Sequence, residues 1–357
     1  MGRKKITLVS SLQNTFVVKD KLLLEQLGYK VLSIQSPPHR DFIRFFWNRI
    51  RELVLSFRYV SKSEAVYSWF NDYHSTAPLF WAKCFKKPSV ILVGGYDAVS
   101  SKKLGYGIFL KKNLRQRLAR WNYTNASEIW VVHKSLSEGC SAAAKQDGTR
   151  SGILNFLPDL KTPIREIPTG YDPTFWQKEG KKKSKTILTV ANIADSRTYE
   201  RKGIPLFIAL AKALPDYEFT IAGIQTDRSG LDVLPNNIRL LGTLDRNGLK
   251  KQYSTHQFYF QGSQVEGLPN VLCEAMLCEC IPIGNTVFGI PDAIGSTGHL
   301  FEGAKDLDSV LAFLNNLEHK TTSALGQQAR ARIQKHVPIS RRVQAFENQL
   351  NAFSNGM

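Results

Sequence analysis

Short apolar runs alternate with helix-spaced segments along this chain, and the alternation begins twice. Residues 6–10 and 30–34 have the composition of buried strands, and residues 16–28 between them carry apolar side chains at helical spacing. A strand, a helix and a second strand in this order fold as parallel neighbours joined by a crossover helix. A further strand at residues 186–193 restarts the pattern. The alternation therefore predicts an α/β fold of doubly wound parallel sheets.

The two halves are separated by a stretch with the composition of a connection. Residues 158–185 contain four prolines, two glycines and a lysine-rich run at 181–185. At 357 residues the chain is long enough for two domains that each bury a core. We predict a first domain at residues 1–165, a linker at 166–185 and a second domain at 186–339.

Composition limits where the protein is expected to reside. No run of about eighteen apolar residues is present, and the first five residues lead directly into a strand, so that neither a transmembrane helix nor a secretory signal is expected. The five cysteines are scattered and lack metal-binding spacing, which favours reduced thiols packed as small apolar residues. We therefore expect a cytoplasmic protein.

The net charge of +18 is concentrated in the first half of the chain. Residues 1–160 contain 25 lysines and arginines against 11 acidic residues, a balance of +14, whereas residues 161–357 carry +4. A field of this sign attracts either nucleic acid or an anionic membrane surface. The sequence has no zinc-finger spacing, no RNP-like motif and no basic helix-turn-helix signal, so nucleic acid is not the expected partner.

Two basic segments lie within this first half, and the first is residues 40–59. It combines arginines with a helical apolar stripe that we expect to face the core, while two aromatic residues fall outside the stripe. Aromatic residues next to arginines are typical of an interfacial membrane helix, and a helix packed in the domain with two exposed aromatics explains the pattern equally well. The stripe consists of Phe42, Phe46, Ile50, Leu53, Val54 and Phe57, and the residues outside it are Phe45 and Trp47.

The second basic segment is residues 106–121, whose spacing predicts an amphipathic helix. Charge of this kind usually marks a solvated helix face. Together with the arginines of residues 40–58 it indicates a basic surface on the first domain, which would dock on an anionic membrane. Its lysines and arginines are Lys111, Lys112, Arg115, Arg117 and Arg120.

The most informative stretch is residues 257–282, which has the pattern of strand, loop and helix. Pro269 suits the first turn of a helix, and Glu266 and Glu274 flank the expected helix start. The unpaired N–H groups and partial positive charge of a helix N-terminus bind phosphate, and Gly267 allows close approach. Because carboxylates accept hydrogen bonds from hydroxyls, a phosphate site between two of them predicts a nucleotide-sugar.

The run that starts at Glu266, EGLPNVLCEAMLCECIPIG, resembles the E-x7-E signature of retaining glycosyltransferases with the GT-B fold. It is most similar to glycosyltransferase family 4. The resemblance implies two Rossmann-like domains that face a central cleft, with the acceptor in the first domain and the nucleotide-sugar in the second. It also implies that a last helix, at about residues 340–357, packs back on the first domain.

The same resemblance implies roles for residues of the second domain. Glu266 would hold hydroxyls of the donor sugar, and Glu274 would hold the ribose diol. Leu244, at the end of a strand-like run, would contact the base. The diphosphate would bind to the residues between the two carboxylates, which are Gly267, Leu268, Pro269, Asn270, Val271 and Leu272.

A basic loop would neutralise the diphosphate as it leaves. In the family a lysine immediately before a glycine has this role, and Lys202 precedes Gly203 here. The accompanying arginine usually ends the preceding strand, where this chain has Asn192. Arg197 and Arg201 are therefore both candidates for that role.

Candidates for the acceptor side follow the strands of the first domain. The family often has a histidine after the strand at residues 87–93, where this chain has glycines. Asp97 and His74 are therefore candidates to face the acceptor, and a structural or turn-capping role is the alternative for each. The other acceptor-side candidates are Gly95 and Asn14.

These interpretations predict a retaining transferase that moves a hexose-type sugar from a UDP- or GDP-sugar to a saccharide acceptor. The acceptor is expected to be lipid-linked, and the product to be a cell-surface polysaccharide or glycolipid. Since lysine and backbone amides would stabilise the leaving diphosphate in place of a metal cation, neither a metal nor another cofactor is expected. We expect the enzyme at the inner face of the plasma membrane. A sugar-nucleotide epimerase of the same fold and a basic nucleic-acid-binding protein are the alternatives.

Overall fold

The computed structural model describes residues 3–37, 41–224, 234–317 and 319–355, and these contain two six-stranded parallel sheets. This architecture confirms the predicted α/β fold with two doubly wound parallel sheets. Within the same ranges no helix is both long and apolar enough to span a bilayer.

The first sheet is formed by strands between residues 5 and 166. The strands in this part of the chain are β1 Lys5–Ser10, β2 Lys30–Gln35, β3 Ala65–Trp69, β4 Ser89–Val93, β5 Val99–Ser100, β6 Glu128–Val131, β7 Arg150–Ser151 and β8 Ile164–Glu166. The sheet has the order β2-β1-β3-β4-β6-β8, and β5 pairs with β7 beside it. Every residue of β3 and β4 is buried, as expected for central strands covered on both faces.

Helices connect these strands, and two of them differ from the sequence prediction. The helices are α1 Thr15–Gln26, α2 Phe42–Val60, α3 Tyr73–Cys84, α4 Leu114–Asn125, α5 Ser135–Glu138, α6 Ser141–Asp147 and α7 Ile153–Phe156. The predicted helix at residues 106–121 is wrong in its first half, because α4 starts only at Leu114, where the Asn113 side chain caps it. Arg115 is bound to Asp72 and half-buried, so it does not belong to a free basic surface.

The apolar stripe of α2 points outward, and the prediction that it faces the core is wrong. Its described members Phe46, Ile50, Leu53, Val54 and Phe57 are all exposed, and the inward side carries Glu52 and Ser56 instead. Ser36, just after β2, donates a hydrogen bond to Glu52, and Arg49 donates to both of them. This polar cluster fixes which side of the helix faces the sheet. Arg40 and the Phe42 side chain lie outside the described part of the chain.

The second sheet has the order β11-β10-β9-β12-β13-β14. Its strands are β9 Lys183–Ile193, β10 Glu218–Ile224, β11 Ile238–Leu241, β12 His256–Gln261, β13 Ile281–Asn285 and β14 His299–Phe301. The helices of this half are α8 Ser196–Arg201, α9 Ile204–Ala213, α10 Arg246–Thr255, α11 Asn270–Leu277, α12 Ile290–Ile294, α13 Leu307–Asn316 and α14 His319–His336.

The last helix, α15 Ile339–Asn355, packs on the first domain. The ring of Phe346 lies 5.2 Å from the rings of both Tyr67 and Trp130, centroid to centroid. Arg342 and Asp20 are completely buried and form an ion pair with Nη2 2.5 Å from Oδ2. The chain thus crosses between the domains twice, once in each direction.

Candidate active site

A cleft of about 770 Å³ lies between the two domains, and the residues that follow the carboxyl ends of their strands line it. The first domain contributes residues 11–16 after β1, Phe70 after β3 and Gly94 after β4. The second domain contributes Asn192 at the end of β9 and Glu266 after β12. Open α/β sheets bind ligands at this edge, so the cleft is the candidate active site.

The two domains touch beside the cleft at glycines. A Cβ atom at Gly267 would lie 2.8 Å from the carbonyl oxygen of Gly94 and 2.6 Å from Cγ2 of Val132, so a larger residue would push the domains apart. Gly95 has a φ of +150°, and a Cβ atom there would lie 3.7 Å from the backbone nitrogen of Gly267. Gly267 therefore allows the domains to touch, whereas Gly95 has room for a Cβ atom and is favoured there only by its φ.

Helix α11 starts at Asn270, directly after Pro269, which confirms the predicted helix start. In the part of the chain that the structure describes, no side chain caps its first turn. The N–H groups of a first helical turn have no partner within the helix. Pro269, Asn270 and Val271 line the cleft together with Leu268, while the Leu272 side chain is buried in the core. An anion in the cleft would therefore meet free donors and a positive helix end.

The side chain of Asn270 is oriented by two residues of the linker. Thr169 Oγ1 and Tyr171 Oη each donate a hydrogen bond of 2.8 Å to Asn270 Oδ1. Burial raises the pKa of Tyr171 well above its usual value, so its hydroxyl remains a donor. With Oδ1 occupied, Nδ2 of Asn270 is left as the donor group of that side chain. Sequence reasoning assigned Thr169 and Tyr171 only to the linker and missed this role.

Glu266 is the charged centre of the donor side. Its Oε1 accepts hydrogen bonds from Lys202 Nζ and from Ser263 Oγ, the latter at 3.0 Å, and Arg201 Nη1 lies 4.0 Å away. Burial acts to raise the pKa of Glu266, but the charges of Lys202 and Arg201 outweigh it and lower the pKa. Glu266 is therefore an ionised acceptor held beside two cations.

Lys202 is positioned by the glycine that follows it. Gly203 has a φ of +71°, and a Cβ atom there would lie 2.2 Å from the carbonyl oxygen of Gly262. Only glycine permits this close packing of the α8–α9 junction on the end of β12. The pKa of Lys202 is lowered chiefly by burial, against the opposing charge of Glu266.

The two candidate arginines occupy different environments. Arg197 is 52% exposed, and its Nη2 lies 3.5 Å from Asp195 Oδ2, away from the cleft lining. Arg201 is 15% exposed, lines the cleft and lies 4.9 Å from the ring centroid of Tyr106. The geometry therefore brings Arg201 together with Lys202 and leaves Arg197 outside.

Glu274 lines the cleft one turn inside α11. Burial raises its pKa to about 7, and the charges of Lys19 and Arg246 oppose that shift. Lys19, on α1 of the first domain, donates to the carbonyl oxygen of Gly170 at 2.6 Å, and burial lowers its pKa to about 8. Sequence reasoning missed both cations, because they lie far from the motif in the chain.

Leu244 follows β11 and lines the cleft two residues before Arg246. The Arg246 guanidinium lies 4.2 Å from the ring centroid of Phe175. This side of the cleft, which also holds Trp176, is largely apolar and aromatic and carries the Arg246 guanidinium. Such a surface suits a planar ring.

On the acceptor side, Asp97 lies outside the cleft lining, contrary to the hypothesis that it faces the acceptor. It is completely buried and accepts hydrogen bonds from the backbone nitrogens of Gly94 and Gly95, at 3.2 and 3.0 Å, and of Asn71 at 3.2 Å. Burial raises its pKa to about 6. Asp97 therefore has the turn-capping role, which was the alternative to facing the acceptor.

His74 and Asn14 both line the cleft. His74 Nε2 lies 2.8 Å from the carbonyl oxygen of Trp69 and must donate to it, because a carbonyl only accepts. Burial lowers the pKa of His74, so the ring is neutral at pH 7 with Nδ1 as its acceptor. Asn14 precedes α1, and its side chain makes no capping hydrogen bond to that helix.

No group of three or more His, Cys, Asp or Glu residues that could hold a metal ion occurs among the described residues. The positive groups of the cleft are protein cations and the amides of α11. The site can therefore accommodate an anion between two hydroxyl-accepting carboxylates.

Comparison with known proteins finds a family match in the second half of the chain. Residues 172–332 match the family model described as Glycosyl transferases group 1. Over 159 residues the chain is 28% identical to the gpi3 subunit of phosphatidylinositol N-acetylglucosaminyltransferase from Schizosaccharomyces pombe. That match covers 42% of this chain and only 34% of the relative's length.

Solved structures resemble the whole chain at low sequence identity. A sucrose-phosphate synthase from Thermosynechococcus elongatus has a TM-score of 0.77 at 14% identity, covering 99% of this chain and 100% of that one. HepE from Anabaena, in complex with UDP, has a TM-score of 0.66 at 14% identity, covering 98% and 100%. Residues 172–332 are therefore similar to the family described as Glycosyl transferases group 1, and the chain as a whole has the GT-B fold.

Proposed function

We propose that this protein is a retaining glycosyltransferase of the family 4 type. It transfers a hexose-type sugar from a UDP- or GDP-sugar to a saccharide acceptor. The observation that carries the proposal is the pairing of Glu266 with Lys202 beside the uncapped start of α11. That arrangement places a carboxylate that accepts hydrogen bonds from sugar hydroxyls next to groups that donate hydrogen bonds to a phosphate.

The proposed chemistry is stabilisation of a leaving diphosphate. When the bond between the sugar and the phosphate breaks, negative charge develops on the diphosphate. Lys202, Arg201 and the first-turn amides of α11 lie where they would stabilise that charge. We propose that these groups take the role of a metal ion, so that the enzyme uses no metal and no other cofactor.

Roles for the remaining donor-side residues follow from their positions. Glu266 would hold hydroxyls of the transferred sugar, and Glu274 would hold the ribose diol. Asn270 would add its oriented Nδ2 to the diphosphate site. Leu244 and Arg246 would contact the base. The UDP bound to the structural neighbour from Anabaena supports a nucleoside diphosphate as the ligand of this fold.

The acceptor is proposed to be a lipid-linked saccharide used for a cell-surface polysaccharide or glycolipid. Two observations support this proposal. The relative from Schizosaccharomyces pombe is named as acting on phosphatidylinositol, and residues 1–160 of this chain carry a balance of +14. We propose that the enzyme works at the cytoplasmic face of the plasma membrane, where anionic lipids attract such a charge.

A thermal-shift screen of UDP-, GDP-, ADP- and CMP-sugars, with and without EDTA, tests the donor proposal. We expect one nucleotide to raise the unfolding temperature of the wild-type protein equally in both conditions. In the variant Glu266→Ala, the sugar should no longer contribute to the rise in unfolding temperature, whereas Arg197→Ala should show the same rise as the wild type. Stabilisation that requires Mg²⁺ or Mn²⁺, or no stabilisation by any of these compounds, would refute the proposal.

A further inference from the structure

Helix α2 presents an apolar stripe to solvent. Its large apolar side chains recur at intervals of three and four residues and are 37–66% exposed. An exposed apolar surface of this size and regularity marks an interaction site. The stripe, named the α2 stripe below, consists of Ile43, Phe46, Trp47, Ile50, Leu53, Val54 and Phe57.

The outward orientation is fixed by the polar contacts on the opposite side of the helix. Arg49 Nη2 donates to Ser36 Oγ at 2.6 Å and to Glu52 Oε1 at 2.5 Å. Turning the α2 stripe inward would break the hydrogen bonds that join Arg49 and Glu52 to Ser36, which lies outside the helix. The exposed stripe is therefore a stable property of the fold.

The charge beside the α2 stripe selects the partner. Arg44, Arg51 and Arg58 are exposed on the same helix, within a half of the chain that carries +14. A helix with an apolar face flanked by arginines and an exposed tryptophan suits the boundary between lipid headgroups and acyl chains. A second copy of this chain would bring two surfaces of the same charge together, which disfavours self-association.

The position of α2 connects this surface to the cleft. The Phe45 ring lies 5.2 Å from the ring of Tyr73, centroid to centroid, and the Arg49 guanidinium lies 5.0 Å from the Phe45 ring. Tyr73 precedes His74, which lines the acceptor side of the cleft. Helix α2 therefore lies next to the acceptor side of the cleft and carries the α2 stripe on its outer face.

We propose that α2 lies in the plane of an anionic bilayer with the α2 stripe inserted among the acyl chains. Insertion holds the acceptor side of the cleft at the lipid surface. The membrane contact is inferred from the geometry of α2. Its functional reason, access to a lipid-linked acceptor, rests on the proposed function.

The test combines vesicle binding with quenching of tryptophan fluorescence. The vesicles contain phosphatidylcholine with or without phosphatidylglycerol, and a matched set carries brominated acyl chains. Trp47 is 63% exposed, whereas Trp69, Trp130 and Trp176 are buried. Bromine should quench part of the wild-type emission, and Trp47→Phe should remove most of that part. Trp81, which packs on Phe57, and Trp121 are only half-buried and account for any remainder. Binding without any quenching of Trp47 would overturn the insertion.

Matched double variants separate the α2 stripe from general surface hydrophobicity. Phe46→Ser with Val54→Ser should weaken vesicle binding at least about tenfold, while Val18→Ser with Leu22→Ser, exposed residues of α1, should bind as wild type. Part of the wild-type binding should survive about 0.5 M NaCl, which screens the arginines. Equal binding by both double variants, or a wild-type dimer that ignores vesicles, would overturn the proposal.

Nucleotide-sugar binding, measured by thermal shift on the same variants, keeps the two proposals distinct. We expect it to be unchanged in both, because neither double variant touches the cleft. Normal nucleotide-sugar binding without vesicle binding would reject only the membrane role of α2. Vesicle binding without nucleotide-sugar binding would reject only the proposed transferase.

Discussion

Glu266 on the donor side of the cleft and Asp97 behind its acceptor side are two carboxylates held in different ways. On the donor side, Glu266 accepts a hydrogen bond from Lys202, and both of these side chains line the cavity. On the acceptor side, the carboxylate of Asp97 is completely buried and accepts its hydrogen bonds from backbone amides. A side-chain pair at a cavity wall can exchange partners with a ligand, whereas a carboxylate bound by the backbone is part of the fold.

The same distinction predicts which ion pairs matter for stability. The Asp20–Arg342 pair lies in the core, and Trp69 Nε1 also donates to Asp20 at 2.8 Å. Arg342→Ala should lower the free energy of unfolding by about 3–5 kcal/mol, because it leaves a buried carboxylate unpaired. Urea denaturation followed by circular dichroism measures this. Lys202→Ala is the control and should lower the free energy of unfolding far less, since Glu266 faces the cleft. An equal loss in both variants would contradict the distinction between the core pair and the cleft pair.

The cleft pair should instead dominate turnover. Lys202→Ala should lower kcat by about 100–1,000-fold, because its charge interaction grows as the diphosphate leaves. Steady-state kinetics of nucleotide-sugar consumption measure the effect. Arg201→Ala should also lower kcat, while Arg197→Ala, on the same loop but outside the cleft, should retain wild-type values. Equal losses in Arg197→Ala and Arg201→Ala would mean that the position in the cleft does not matter.

Glu274 should make nucleotide affinity depend on pH. Its pKa is raised to about 7, so the carboxylate becomes protonated as the pH falls through that value and accepts ribose hydrogen bonds less well. We expect calorimetric affinity for the nucleoside diphosphate to decrease below about pH 7, by up to tenfold per pH unit. Lys19, with a pKa of about 8, should cause a separate change on the alkaline side. Glu274→Gln should bind more weakly and lose the acid-side dependence; an unaltered pH profile in this variant would contradict the assignment.

The smallest effect concerns the orientation of Asn270. Tyr171→Phe removes one of two donors to its Oδ1 and should weaken nucleotide-sugar binding by about 1 kcal/mol, roughly fivefold. Tyr217→Phe is the matched control, because that hydroxyl donates to the carbonyl oxygen of Leu314 in the core of the second domain. Titration calorimetry compares the two. If Tyr171→Phe binds as tightly as Tyr217→Phe, the orientation of Asn270 is not needed.

The sequence predicts the donor side better than the acceptor side, for a physical reason. The start of α11 and its flanking carboxylates lie within nine consecutive residues, so local propensity and spacing place them together. Lys202 is fixed by the glycine beside it. The choice between Arg197 and Arg201 depends on which side of α8 faces the cleft, and the sequence left that choice open.

The α2 stripe shows what apolar spacing cannot decide. Its period predicts a helix and correctly identifies one face. The period does not show whether that face packs on the rest of the protein or contacts another apolar environment. Here the hydrogen bonds that join Arg49 and Glu52 of α2 to Ser36, which follows β2, set the orientation. The roles of Lys19 and Arg246 near Glu274 were missed for the same reason, because distant parts of the chain meet only in the folded protein.

The most direct test of the proposed transferase is proton NMR of a nucleotide-sugar incubated with the wild-type enzyme in excess EDTA. With an α-linked donor and water as the acceptor, we expect nucleoside diphosphate and a free sugar that first appears as the α anomer, at a rate that Mg²⁺ does not change. Lys202→Ala should abolish this signal on the same timescale. Release of the β anomer first, an isomerised nucleotide-sugar, or no reaction with any donor that binds would contradict the account.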